Sequence, residues 1–440
     1  MKLDEAARAY NQAFPGFSGG GAVPSRQQLE FQMAKALQYA NDAEWSDAYQ
    51  TGNGYIHRVI GQVAQVAPDA AMLFATSLLE NKQQEPLLKS LEFMLASLAE
   101  RSPETLEHIV RHTALTMQFY VNQNGDITLR NRDEALQVMV GAIAHDAGKI
   151  GIHPALLHKQ TRLPQARFDA LLTAYELQVP SYPQKAHDLQ FLAEAQKGRL
   201  VFPASVASGA ISDEVIDFSA GYRSGERALA LPQDVERHGR IMGRIAQKAK
   251  QAGIVNWLTD EEQRQLASTQ RGTLTPQERQ ILNSHDDMSA LYMRLQTLPQ
   301  ELEAVSQIVS MDRFRSPESG GTGNRLANLI HVTDVFEALT AKRSYKEPYR
   351  ISDALAIMQQ MARKGEMDQP LLQSFVDSGV WQDFATRYQC ELGDMDAIRR
   401  MQTPSLPKSP TMQIEPATAK WQSLAMPAQQ AGITLNINLR

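Results

Sequence analysis

Apolar and polar positions along this chain recur with the 3.6-residue period of amphipathic helices, and strictly alternating runs are scarce. The pattern predicts an all-α protein. A Ser-x-x-Gln box from Ser25 to Gln28 starts the first helical stretch, and helical patterning continues through residues 70–79 and 85–98. The preceding residues, 1–24, carry Pro15-Gly16 and Gly19-Gly20-Gly21 and read as a loose arm. Ser102-Pro103-Glu104 opens a further helix, with proline in the first turn, where its missing N–H breaks no helical bond. Asn122-Gln-Asn-Gly125-Asp126 ends that helix. Thr259-x-x-Glu262 and Thr275-Pro276-x-Glu278 are capping boxes that restart helices ahead of His285. Leu329, Val332, Val335, Phe336 and Leu339 then form the apolar face of a helix that also carries Asp334.

Breaks in this patterning suggest three parts. Residues 1–100 read as an N-terminal helical domain and 101–390 as a second domain. Proline-rich turns around 179–183, a short strand candidate at Leu200-Val-Phe and Gly/Ser-rich turns between Ala207 and Gly225 mark an insertion at about 161–250. Residues 391–440 read as a largely irregular tail with one edge-strand candidate at Gly432-Ile-Thr-Leu-Asn-Ile-Asn-Leu.

Composition narrows the function classes. The chain has 440 residues and a formal net charge of −5, which argues against bulk nucleic-acid or anionic-membrane binding. Cys390 is the sole cysteine, so no intrachain disulfide forms and a reducing cytoplasm is the expected location. MKLDEAARAY lacks the apolar core of a secretory signal. No apolar run reaches the roughly 20 residues of a membrane span.

The chemistry concentrates in Gly141-Ala-Ile-Ala-His145-Asp146-Ala-Gly148-Lys149-Ile150-Gly151-Ile152. Leu136, Val140 and Ile143 recur at helical spacing, and an adjacent His-Asp pair then appears where the apolar helix should continue. Neither side chain is comfortable on a buried face unless paired or metal-bound. An imidazole beside a carboxylate is a mixed N/O donor set suited to Fe, Mn, Co or Zn, and Lys149 beside it would suit a phosphate.

HDAGKIGI resembles the HD superfamily of metal-dependent phosphohydrolases, and in particular its HD-GYP branch. A bare His-Asp dipeptide carries little weight, since His187-Asp188 and His285-Asp286 also occur. The longer context and the order of later segments carry the resemblance. Arg271-Gly-Thr-Leu-Thr-Pro-Gln-Glu278 leading to His285 looks like the segment that delivers a further histidine. His331-Val-Thr-Asp334 leading to Arg343-Ser-Tyr345 looks like the late ligand-Asp helix and its following turn. The resemblance implies an HD helical bundle and a divalent metal, Fe, Mn or another transition metal. Its ligands would be His108, His145, Asp146, His285 and Asp334, with Asp146 and Lys149 in the catalytic role and no organic cofactor. His108 and His112 lie one turn apart, so either could face the metal. Arg111, three residues after His108, matches the family and favours His108.

Two features of the branch are missing. The stretch corresponding to its His-His-Glu run is Met311-Asp312-Arg313-Phe314, and Gly321-Thr322-Gly323 continues as Asn324-Arg325 without Tyr-Pro. Asp312 and His331 are weak replacements for the lost histidines, and a mononuclear site from His108, His145, Asp146 and Asp334 is complete without them. The implied function is a phosphodiesterase acting on a cyclic dinucleotide such as cyclic di-GMP, or on another phosphoester, with a reduced metal site. The alternative is a catalytically degenerate relative that senses a ligand or binds protein partners in bacterial signalling.

Overall fold

The computed structural model describes residues 1–17, 24–198, 232–268, 272–310, 324–343 and 348–402. Every regular element among them is helical, and the only β contacts among them are isolated bridges, Lys2 with Glu44 and Phe17 with Ile152. No described helix is long and apolar enough to cross a membrane. Leu200-Val-Phe, Ala207 to Gly225, Asp312, Gly321-Thr322-Gly323 and the strand candidate after Gly432 lie outside the described residues.

The chain divides into two compact units, one formed by residues 1–157 together with 280 onward and the other by His158–Arg279. In the first, the helix Pro103–Asn124 is the central element. Tyr55–Ala64, Arg132–Ala144 and Arg325–Thr340 all pack against it. Ser102 caps its start by accepting from Thr105 N, with Pro103 in the first turn, and Gly125 ends it with φ of 71°. Residues 1–100 belong to this same unit.

The loose arm expected at 1–24 is partly wrong. Leu3–Ala13 is a helix, with Leu3, Ala6, Ala7 and Tyr10 buried at positions i, i+3, i+4 and i+7. It packs on Glu85–Arg101, where Tyr10 meets Phe93 edge-on with ring centroids 5.6 Å apart. The glycines that suggested an arm come after this helix, and its own apolar stripe was short and rich in alanine. Arg101 ties the helix end to the turn beyond Asp146, bonding the carbonyl of Phe14 and, at 3.2 Å, that of Ile152.

The capping boxes form as predicted. Ser25 and Gln28 exchange bonds at the start of Arg26–Asp42, Thr259 and Glu262 do so at Asp260–Ala267, and Thr275 and Glu278 do so at Pro276–Asn283. A further start is capped from a distance. Glu92, buried in the helix Glu85–Arg101, accepts from the backbone N–H groups of Tyr55 and Ile56 at 2.8 Å each. These are orphan donors at the positive end of Tyr55–Ala64.

The His158–Arg279 unit has its own core, in which Phe168, Leu171, Tyr175, Phe191, Ile245 and Leu266 are buried together. The buried Arg162 guanidinium donates to the carbonyls of Gln265, Leu266 and Ser268 at 2.8, 3.1 and 2.8 Å, terminating the helix Asp260–Ala267. The predicted insertion at 161–250 lies within this unit, and Leu258 and Leu266 join its core from beyond residue 250.

Candidate metal centre

The first unit brings side chains from four segments to one place. His108 projects from Pro103–Asn124, and His145 and Asp146 follow Arg132–Ala144. His285 begins the helix His285–Arg294, and Asp334 lies in Arg325–Thr340. The Nε2 atoms of His108 and His145 are 3.2 Å apart. Asp334 Oδ1 is 3.1 Å from His108 Nε2 and 3.8 Å from His145 Nε2. Asp146 Oδ2 is 3.6 and 3.5 Å from the same two nitrogens. The other oxygen of Asp146, Oδ1, lies 3.2 Å from His285 Nε2.

Each histidine is oriented by its remote nitrogen. His108 Nδ1 bonds the carboxylate of Glu337. His145 Nδ1 bonds the carbonyl of Ala142 at 2.8 Å, and His285 Nδ1 bonds that of Leu282 at 2.6 Å. A carbonyl only accepts, so these Nδ1 atoms carry the proton, and in the neutral ring Nε2 keeps its lone pair. Three Nε2 atoms therefore face the carboxylates of Asp146 and Asp334 or one another. This is how metal-binding histidines are held, with the second nitrogen fixed by a carboxylate or carbonyl.

The donor set fits a divalent cation. Ligands at roughly 2.0–2.2 Å from one ion lie roughly 3.0–3.5 Å from each other, and the Nε2 atoms of His108 and His145 lie 3.1 to 3.8 Å from each other and from the Asp146 and Asp334 oxygens. Two imidazoles and two carboxylates suit a borderline transition metal better than Mg or Ca. His112 is also in range, since one ring nitrogen each of His108, His112 and His145 lie within 4.8 Å of one another.

Electrostatics hold the carboxylates ionised. Burial pushes the Asp146 carboxyl up, but Lys149, His145 and His285 outweigh it and keep the group well below the usual carboxylate range. Asp334 is likewise held low against its burial by the hydrogen bond from His108 and, at the low pH where it would take up a proton, by the charge that His145 then carries. Burial lowers His145 to about 4, and burial with the neighbouring His145 lowers His112 to about 3. Both rings are neutral at physiological pH, as metal ligands must be. His108 differs. Burial lowers it, but the Glu337 carboxylate and the bond to Asp334 reverse the shift.

Glu337 was not foreseen from the sequence. It is fully buried and bonds His108, Arg111 at 2.6 Å and Arg343 at 3.5 Å. Burial opposes its charge, but these cations hold it at about 2. The signal was its place three residues after Asp334, on the same face of the helix. Asp286 was also missed as a neighbour of the site, with Oδ1 3.1 Å from His285 Nε2. Lys149 sits where expected, with Nζ 2.6 Å from Asp146 Oδ2. His331 faces the backbone instead, 3.2 Å from the Glu366 carbonyl.

Residues 263–371 match the family model described as an HD domain. His285, Asp334 and Glu337 fall inside the match, whereas His108, His145 and Asp146 precede it. The chain matches no curated protein and no solved structure.

Proposed function

We propose that this protein is a metal-dependent phosphohydrolase of the HD type, with one divalent cation held by His108, His145, Asp146 and Asp334. The observation that supports it most is the orientation of His108 and His145. Both present Nε2 to two ionised carboxylates while Nδ1 is engaged elsewhere.

A divalent metal in this position supplies Lewis acidity toward a phosphoryl oxygen and makes hydroxide available near neutral pH. The chain's own groups do the rest. Asp334, Lys149 and His285 keep side-chain exposures of 20, 14 and 16%, so these are the members of the cluster that a substrate reaches. Lys149, paired with Asp146 in this structure, is placed to neutralise a non-bridging phosphate oxygen once a cation shares the Asp146 charge. Glu337 holds His108 in position and is itself held by two arginines.

The resemblance to the HD-GYP branch directs the substrate reading to a cyclic dinucleotide such as cyclic di-GMP. It also directs the role to signalling, and the single cysteine, Cys390, directs the location to a reducing cytoplasm. The missing His-His and Tyr-Pro elements remove the branch's usual second metal and substrate contacts, so cleavage should be slow. The test is turnover with Mn or Fe supplied, comparing cyclic di-GMP, a linear dinucleotide and a nucleoside monophosphate. Cleavage of any of these, abolished by Asp146→Ala, supports the reading. Ligand binding without cleavage would move it to a degenerate sensor or adaptor.

A further inference from the structure

We propose that His112 is a ligand of the same centre, so that three imidazoles rather than two hold the cation. The inference rests on the metal-centre reading above and adds a residue that the HD resemblance leaves without a role. His112 is completely buried. Its Nε2 is surrounded by three oxygens, the Ile330 carbonyl at 3.2 Å and the hydroxyls of Thr333 and Thr116 at 3.1 Å each. The carbonyl can only accept. Both hydroxyls have carbonyl acceptors of their own, His112 O for Thr116 and the Leu329 and Ile330 carbonyls for Thr333. Nε2 is therefore the protonated nitrogen, and the lone pair of the neutral ring is on Nδ1.

That Nδ1 is buried and has no hydrogen-bond partner. An unsatisfied buried acceptor is destabilising, and no donor among the described residues meets this one. The ring stacks on His108 with centroids 5.4 Å apart and stands edge-on to His145 at 4.5 Å. One nitrogen of each ring lies within 4.8 Å of the others. A cation is the partner that would satisfy a lone pair among two other imidazoles. Thr116 and Thr333 then do for His112 what Glu337 does for His108, engaging one ring nitrogen so that the other is left for a cation.

The test is X-ray absorption at the cobalt edge of the full-length protein loaded with Co²⁺, with affinity measured by competition against a chelator. The variant is His112→Gln, whose terminal amide can still donate to the Ile330 carbonyl while the Nδ1 lone pair is deleted. Wild type should show three imidazoles. The variant should show two, with affinity at least tenfold weaker. Cobalt bound by two imidazoles in wild type, or unchanged affinity in a folded variant, overturns the role of His112 and leaves the four-ligand centre intact. Failure of wild type to bind cobalt overturns both.

Discussion

A Cβ placed on Gly148 would meet the carbonyl oxygen of His285 at 2.0 Å, so only glycine lets the turn Ala147–Gly151 approach the start of His285–Arg294 this closely. Gly148 N donates to Ser289 Oγ at 2.8 Å, and Ser289 Oγ donates in turn to the His285 carbonyl at 2.9 Å. That contact brings His285 beside Asp146. Gly148→Ala should therefore separate them and destabilise the fold by about 1–3 kcal/mol, the usual range for overpacking. Thermal or urea unfolding reads the loss, and a variant as stable as wild type would show that the backbone can yield there.

Glu337 makes a second prediction. Glu337→Gln keeps an acceptor for His108 Nδ1 but removes the charge that Arg111 and Arg343 also engage. Loss of such an outer partner typically weakens metal affinity about 10–100-fold. Titration with Mn²⁺ or Co²⁺ should show a decrease in that range, with the number of ions bound unchanged. Wild-type affinity would reduce Glu337 to a packing residue.

Much of this cluster was legible in the sequence. The His145-Asp146 pair interrupts an apolar helix, and that conflict between burial and charge is visible in one dimension. Asp334 is marked only by the resemblance of its segment to the family's late ligand-Asp helix, since an acid in such a pattern ordinarily faces solvent. Helix periodicity alone does not separate His108 from His112, because i and i+4 share one helix face and both rings turn out to be buried; the preference for His108 rests on the resemblance, through Arg111. Glu337 was obscured for a related reason. An acid on an amphipathic helix ordinarily faces solvent, and only the convergence of His108, Arg111 and Arg343 explains its burial. The first helix was missed because alanines supply half of its buried face. Alanine contributes little to a hydrophobic period, whereas a nearby glycine run is conspicuous.

Glu92 links stability to pH. Burial raises its carboxyl from 4.5 to about 7, although the bonds from Ile56 and Tyr55 act in the opposite direction. Between those values the folded chain keeps a proton that the unfolded chain has released. Its contribution is therefore largest below about 4.5 and is lost as pH rises through about 7, by at most about 1.4 kcal/mol per unit. Glu92→Gln removes the titrating group. The difference in unfolding free energy between wild type and this variant should shift against wild type from pH 4.5 to 7.5. A difference independent of pH would show that the two backbone donors keep Glu92 ionised throughout.

Arg162 offers a test confined to the other unit. Its guanidinium satisfies the Gln265, Leu266 and Ser268 carbonyls, and Arg162→Met would leave these carbonyls without that donor, at about 1–3 kcal/mol for each one left unsatisfied. Hydrogen exchange should rise across residues 158–279 in the variant. Equal protection in both proteins would contradict the capping role.

The central claim is that His108, His145, Asp146 and Asp334 hold one divalent cation, and metal analysis of the purified full-length protein tests it most directly. Wild type dialysed against Mn²⁺ or Fe²⁺ should retain about one equivalent per chain, and both Asp146→Ala and Asp334→Ala should retain none while remaining folded. A wild-type protein without metal, or an Asp146→Ala variant that keeps its full complement, would contradict the account.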